Sequence, residues 1–374
     1  MHPAARTEFA PLPRTYLNTA GYGLPTAGTV AALEGALTTW RDGSADWVND
    51  WDVEAERCRA AAGTLLGAPV DEIALLPAVS VGAGVVVGSL SRGDEILTPE
   101  GEFASVLLPA LVAARHRGVR VRQVPFDALA GEVGPRTTLV VTSHVRSNDG
   151  RVQDLPAVSA AAHAFGAAVL VDATHAAGVL PVEAEALGLD YVLVAAYKHL
   201  LCPRGVALMR IARERWDTVP PAVASWRSAG DAYAHYYGPE LADLAGTAAR
   251  FDVSLAWHAW VGAVPALEFL VGVPAAERRE WCVSLADEAA KLLGLPPTGS
   301  SVLAVPVSHR DAAAAALRGA GIVSSVPPPA GTGGDAQVRL SFHLYNDMSQ
   351  ARLVADVLAP FVPQNQQSSG GSPR

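Results

Sequence analysis

Between Glu72 and Ile211, short apolar runs alternate with segments of helical spacing, and this alternation limits the chain to one broad architecture. The runs are EIALLP (Glu72–Pro77), EILTP (Glu95–Pro99), VRVRQVPF (Val119–Phe126), TLVVTSHV (Thr138–Val145), AAVLVD (Ala167–Asp172) and YVLVAAY (Tyr191–Tyr197), with GVALMRI (Gly205–Ile211) close behind. Most are apolar at consecutive positions rather than at every second one. Strands of that kind are buried on both faces, and when helices join them they form a mostly parallel sheet covered on both sides. The expected fold is α/β, a large parallel-sheet domain followed by a smaller α+β one. Ligands in such sheets sit beyond the carboxyl ends of the strands. Ser80, His144, Asp172 and Lys198 all fall at or just past such an end.

A chain of 374 residues, half of them hydrophobic, is long enough for two cores. Residues 1–25, Pro-rich and then Gly-punctuated, read as an N-terminal arm. Residues 26–249 read as the large domain, opened by a helix with Thr26 at its N-cap and loosening into a Trp- and Tyr-containing stretch at 212–249. Residues 250–362 read as the small domain. It has helices near Leu255–Leu270 and Glu277–Leu293, strands at Ser301–Val307 and Gln337–His343 flanking a Pro/Gly hairpin (Pro327–Gly334), and a last helix Met348–Leu358. The polar, Gly/Ser-rich end, 363–374, reads as a disordered tail. ADWVNDWD (Ala45–Asp52) sets two Trp among three Asp and resembles no core element.

A formal net charge of −9 argues against nucleic acid or an anionic membrane as partner. Cys58, Cys202 and Cys282 are scattered and odd in number, with neither metal-ligand nor disulfide spacing, which suits a reducing cytoplasm. With no signal pattern and no apolar run of membrane length, a soluble cytoplasmic protein without a metal is expected.

Lys198 is the only Lys before residue 291, and it ends an apolar strand. A desolvated ammonium is costly unless paired or neutralised. Such a Lys either snorkels to the surface at the strand end or serves as an amine of lowered pKa that bonds a carbonyl as a Schiff base. Asp172 likewise has two readings: the N-cap of the turn after its strand, or a carboxylate that keeps a pyridine nitrogen protonated.

Four strings bear on that choice: VDATHAAG (Val171–Gly178), AYKHLLCPRG (Ala196–Gly205), SHVRSNDG (Ser143–Gly150) and VRLSFHLYND (Val338–Asp347). In order and spacing they resemble the cofactor, lysine, SHVxxxxG and RxSxxxYN motifs of the class V aminotransferases, the family of cysteine desulfurases and kynureninases. The resemblance spans the chain from Asn18 to Asn346. It implies a pyridoxal phosphate (PLP)-dependent enzyme of fold type I, a homodimer with active sites at the interface. Lys198 then corresponds to the Schiff-base lysine, Asp172 to the partner of the ring nitrogen, and His175 to the group beside the phenolate oxygen. Ser80, with the N–H groups of Val79 and Val81, corresponds to the phosphate cradle at a helix N-terminus. Tyr197 resembles the kynureninase variant that reaches the phosphate, and Arg339 the clamp on the substrate α-carboxylate. Two positions depart from the desulfurase pattern. In GEFAS, Phe103 stands where desulfurases stack a His on the ring. Ser147 stands where they carry an Asn, which leaves the phenolate to His175 or Asn148.

Desulfurases of this kind need a mobile Cys shortly before the C-terminal Arg, yet residues 321–337 contain none. Persulfide transfer is therefore not expected, and β-elimination, hydrolytic cleavage, transamination or epimerisation remain. YLNTAGYG, WVNDW, EFASVLLPA, RFDVSLAWHAWVG and SHVRSNDG together resemble the C–S lyase branch of actinobacterial ergothioneine biosynthesis. That branch splits hercynylcysteine sulfoxide into ergothioneine, pyruvate and ammonia, and a class V aminotransferase or another cysteine-S-conjugate β-lyase is the alternative. The expected substrate side comprises Asn18, Arg339 and an aromatic, acidic pocket of Tyr22, Trp47, Trp51 and Trp226, which would suit a quaternary ammonium; an exposed dimer-interface patch is the other reading of these rings. Arg250 is placed either on the substrate or on a hinge.

Overall fold

A computed structural model describes residues 1–234, 236–237, 243–326 and 336–363 of the chain. The expected hairpin at 327–334 and most of the expected tail, 364–374, lie outside the described residues.

Seven strands make the main sheet: β2 (Ile73–Leu76), β3 (Glu95–Pro99), β4 (Arg120–Val124), β5 (Thr137–Ser143), β6 (Ala168–Asp172), β7 (Tyr191–Ala195) and β8 (Ala207–Ile211). Their spatial order is β2-β8-β7-β6-β5-β3-β4. All neighbours run parallel except at β8, which is antiparallel to both β7 and β2. The continuous apolar runs now have their cause. Leu75, Val140, Val169, Val171, Val192 and Val194 face one core, with α2 (Glu54–Leu66), α5 (Leu155–Ala164) and α6 (Trp257–Val271). Their alternates Leu76, Leu139, Val141, Leu170, Leu193 and Met209 face another, with α3 (Val79–Gly88) and α4 (Ala104–Arg117). Each such side chain contributes about 1.5–3 kcal/mol of burial.

The second unit pairs β9 (Val302–Pro306) with β11 (Gln337–Ser341) in antiparallel register, Arg339 opposite Ala304. Its core draws on α7 (Ala275–Leu292), α8 (Arg310–Gly319) and α9 (Met348–Leu358). The arm belongs to this unit as well. Its strand β1 (Thr15–Tyr16) lies parallel to β10 (Ile322–Val323), and Leu17 enters the same core. The boundary expected at residue 250 does not match the packing. Trp260, Val264 and Leu267 of α6 join the first core, where α6 lies against α1 (Ala27–Asp42) and α2.

The WVNDWD segment also differs from expectation. Trp47–Asp52 forms a six-residue π-helical turn in which Trp51 and Asp52 are buried. The reason is ionic. Asp52 takes hydrogen bonds from Tyr233 Oη at 2.7 Å and Trp257 Nε1 at 3.0 Å, and pairs with Arg227. Arg227 extends to Asp252, which takes Arg59 Nη2 at 2.6 Å and the N–H of Leu75 at 2.8 Å. This buried network ties α2, edge strand β2 and the 225–252 segment together. Asp252→Ala leaves two buried guanidiniums short of a partner and the Leu75 N–H unpaired. Urea unfolding of that variant is expected to show a loss of about 3–5 kcal/mol.

Candidate active site

A cavity of about 170 Å³ opens at the carboxyl ends of β5, β6 and β7, lined by Lys198, Asp172, His175, Phe103, Ser80 and Tyr197 among others. Lys198 lies three residues past the end of β7 and is only 6% exposed, so it does not snorkel out. The backbone around it is tightly filled: a Cβ on Gly23 would overlap the Lys198 carbonyl oxygen, and one on Gly178 (φ 91°) that of His199. Lys198 Nζ is 3.3 Å from His175 Nε2 and 4.9 Å from the centre of the Phe103 ring. Burial lowers its pKa from 10.5 to about 8; the Asp172 carboxylate opposes that shift, and the charges of Arg339 and Arg204 add to it.

Asp172 ends β6 and is 5% exposed. Its Oδ1 accepts the N–H of Thr174 at 2.9 Å, so one oxygen does cap the turn while the residue also lines the cavity. Burial raises its pKa, with Thr174 and Lys198 pulling the other way. His175 is buried, and burial followed by the Lys198 charge holds its pKa well below 6.5, which keeps the imidazole neutral. Its Nδ1 has no hydrogen-bond partner among the described residues.

At the other end of the cavity, Val79 and Ser80 open α3, whose N-cap Ala78 has no side chain to offer. The first N–H groups of that helix are left for a ligand. Val81 departs from expectation, because its N–H is bonded to the Ala78 carbonyl at 3.1 Å and its side chain does not line the cavity. Ser147 lines the cavity but is also bound to Arg339, whose Nη1 donates to its carbonyl oxygen at 2.8 Å and its Oγ at 3.1 Å. Arg339 thus reaches the site from the second unit.

The expected substrate side divides. Tyr22 is exposed, with its ring 5.9 Å from that of Tyr197. Asn18 bridges to Ser341 through its backbone and has a buried side-chain oxygen with no partner among the described residues. None of the expected substrate-side residues lines this cavity, although Arg339 and Tyr22 neighbour two that do, Ser147 and Tyr197, whereas Trp47, Trp51 and Trp226 lie on another face. Trp47 stacks on Trp257 at 4.7 Å and meets Trp226 at 5.8 Å, while Trp51 packs on His258 at 4.8 Å. The apolar start of α6 and the ionic network around Asp52 draw them to that face. Arg250 is likewise held elsewhere, by the Ala245 carbonyl at 3.0 Å and Asp217 at 3.2 Å.

Three further groups belong to the site. Glu102, adjacent to Phe103, accepts Ser143 N–H at 2.7 Å, Ser143 Oγ at 2.5 Å and the Phe103 N–H at 2.6 Å, which fixes the backbone that carries the ring. Thr174 Oγ1 accepts the Ala195 N–H at 2.9 Å and so joins the Asp172 turn to the end of β7. Arg204 lines the cavity beside Tyr197. Glu102 and Arg204 sit inside the quoted motifs GEFAS and AYKHLLCPRG, so the signal was their position beside a named site residue.

The folded-state pKa of Lys198 lies below its ordinary 10.5, so between about pH 8 and 10.5 the unfolded chain binds the additional proton and stability rises with pH. In cofactor-free protein, wild type is expected to gain about 3 kcal/mol relative to Lys198→Met across that window, measured by urea titration at stepped pH.

The class-V aminotransferase family model matches residues 43–354. A kynureninase of Deinococcus radiodurans is 28% identical over 277 residues, 72% of this chain and 66% of that protein. A probable cysteine desulfurase of Methanothermobacter thermautotrophicus is 32% identical over 165 residues, 41% of each chain. The chain spans less than two thirds of the length of these curated relatives. A solved cystine C–S lyase, in complex with its product cysteine persulfide, superimposes with a TM-score of 0.82 at 22% identity, over 94% of this chain and 98% of that one. A cysteine desulfurase from Thermococcus onnurineus gives 0.82 at 20% identity, over 96% and 98%. The buried Lys198 and Asp172, the open helix end at Ser80 and the Phe103 face fit the amine, ring nitrogen, phosphate and ring of pyridoxal phosphate, and the chain belongs to the class-V aminotransferase family of pyridoxal phosphate enzymes.

Proposed function

We propose that the protein is a C–S β-lyase that cleaves a cysteine-derived sulfoxide, with hercynylcysteine sulfoxide as substrate and ergothioneine, pyruvate and ammonia as final products. The observation that carries the lyase reading is a buried base without a sulfur relay. Burial lowers the Lys198 pKa to about 8, while Cys58, Cys202 and Cys282 are all buried, with burial raising each thiol pKa. Similar proteins include desulfurases, so persulfide transfer is the competing reading. It requires an accessible thiolate, and none of these three cysteines meets that need. The substrate itself rests on the resemblance of strings such as YLNTAGYG and WVNDW to the ergothioneine lyases, read from the sequence alone.

Bound pyridoxal phosphate supplies an electron sink for negative charge at the substrate Cα. Lys198, Asp172, His175, Ser80 and Phe103 would hold it. Arg339 forks onto the α-carboxylate, exchanging its bonds to Ser147 for charged ones, and so turns the Cα–H toward Lys198. Lys198 Nζ, whose lowered pKa gives it a share of neutral amine near neutral pH, takes that proton. Asp172 would pair with the ring nitrogen of the bound cofactor, and the neutral His175 Nε2 stands 3.3 Å from Nζ, placed to hold the amine in line. The Cα–H electron pair then expels the sulfur from Cβ as a sulfenate, which takes up a proton to leave as the sulfenic acid, and water hydrolyses the released 2-aminoacrylate to pyruvate and ammonia. An external thiol supplies the two electrons that convert the sulfenic acid to the thione. Tyr22 is the aromatic face we assign to the trimethylammonium end. The exposed apolar groove of Tyr22, Val30, Leu33 and Leu37 supports a homodimer in the same reading.

With the holoenzyme and hercynylcysteine sulfoxide, pyruvate is expected in step with sulfoxide loss. Lys198→Ala is expected to lower the rate at least about 10³-fold. Arg339→Lys is expected to raise KM about 10-fold or more, since an ammonium cannot reproduce the bidentate fork. Turnover that depends on added keto acid would move the assignment to an aminotransferase. Protein-bound persulfide formed from cysteine would move it to a desulfurase.

A further inference from the structure

We propose that Arg204 is the cation that pairs with the phosphate dianion of the cofactor, completing a cradle that the open end of α3 begins. A helix N-terminus offers N–H donors and roughly half a positive charge, well short of a dianion. The cavity has few other cations to add. Lys198, the other Lys or Arg in its lining, is the reactive amine, and Arg339 lies outside that lining, held by Ser147.

The sheet itself puts Arg204 at the right end. Ala207, the first residue of β8, is paired with Leu76, the last of β2, and with Ala195, the last of β7. The chain entering β8 (204–206) and the chain leaving β2 (77–80) therefore emerge side by side from one edge. Both segments line the same cavity, Arg204 and Val206 from one and Pro77 to Ser80 from the other. Gly205, with φ 101°, lets the chain turn there.

The side chain is poised and unspent. Among the described residues Arg204 has no carboxylate within 4 Å, although most arginines near it in sequence, such as Arg210, Arg213 and Arg215, are ion-paired. Its guanidinium carbon stands 5.1 Å from the centre of the Tyr197 ring, a contact that orients the group without cancelling its charge. Left unneutralised, Arg204 adds to the forces that disfavour a proton on Lys198. A dianion at the end of α3 removes that repulsion and satisfies the helix N–H groups together. This assignment stands on cofactor binding and is independent of the lyase reading.

The test uses cofactor-free full-length protein titrated separately with pyridoxal phosphate and with pyridoxal, which lacks the phosphate, followed by tryptophan fluorescence. For Arg204→Gln the Kd of pyridoxal phosphate is expected to rise about 10- to 100-fold while that of pyridoxal stays within about twofold. Arg204→Lys, which keeps the charge but loses the fork, is expected to fall between. Unchanged pyridoxal phosphate affinity would overturn the proposal. So would an equal loss for both aldehydes, which would make Arg204 a packing residue. A rise confined to the substrate KM would overturn it too, by assigning the guanidinium to the substrate carboxylate. Arg204 is exposed and makes no side-chain hydrogen bond among the described residues, so thermal midpoints of both variants are expected to match wild type.

Discussion

One ammonium buried at the end of a parallel sheet sets the terms for the rest of the molecule. Lys198 is held where water cannot solvate it well, so its charge must be matched or given up. Asp172 stabilises the charged form; burial, Arg339 and Arg204 stabilise the neutral one. The result, a pKa near 8, leaves the amine responsive to whatever enters the cavity. A ligand that brings a carbonyl, a basic ring nitrogen and a phosphate complements the amine, the carboxylate and the open helix end that line this cavity.

The scaffold around that amine serves to hold distances. β6 and β7 are parallel and in register, Asp172 beside Leu193, so the two chain segments leave the sheet at the same end. Thr174 then ties the turn after β6 to the last residue of β7. The antiparallel β8 between β7 and β2 brings the open end of α3 and Arg204 to one edge, which an all-parallel order would separate. From the second unit, Arg339 reaches Ser147, and Ser300 Oγ donates to the Gly150 carbonyl at 2.7 Å. The two units therefore meet on the 143–150 loop, where a movement of one would be felt by the carboxylate clamp.

Local patterns point to much of the site. Strand ends placed Asp172 and Lys198, and the start of a small-residue helix placed Ser80. The aromatic residues were less legible. Trp47, Trp51 and Trp226 look like cage residues in a linear reading because they are large, clustered and flanked by Asp. Their actual surroundings depend on Asp52 meeting Arg227 and on α6 joining the first core, and both contacts span more than 170 residues. Arg250 was ambiguous for the same reason; its guanidinium is held by Asp217 and the Ala245 carbonyl.

The sequence by itself determined the class of fold and, through its motifs, the family and its cofactor. Runs of consecutive apolar residues have no solvent face and must become strands covered on both sides, while the Lys and the Asp at the ends of two such strands each kept a structural reading, and the resemblance to the class V aminotransferases chose between them. Only the tertiary structure decided how those groups are tuned and which neighbours share their cavity. The lowered pKa of Lys198, the grip of Ser147 on Arg339, and the placement of Arg204 beside α3 all arise from strand order and from contacts between distant segments. No local periodicity encodes those, because proximity there is set by how whole elements pack and not by spacing along the chain.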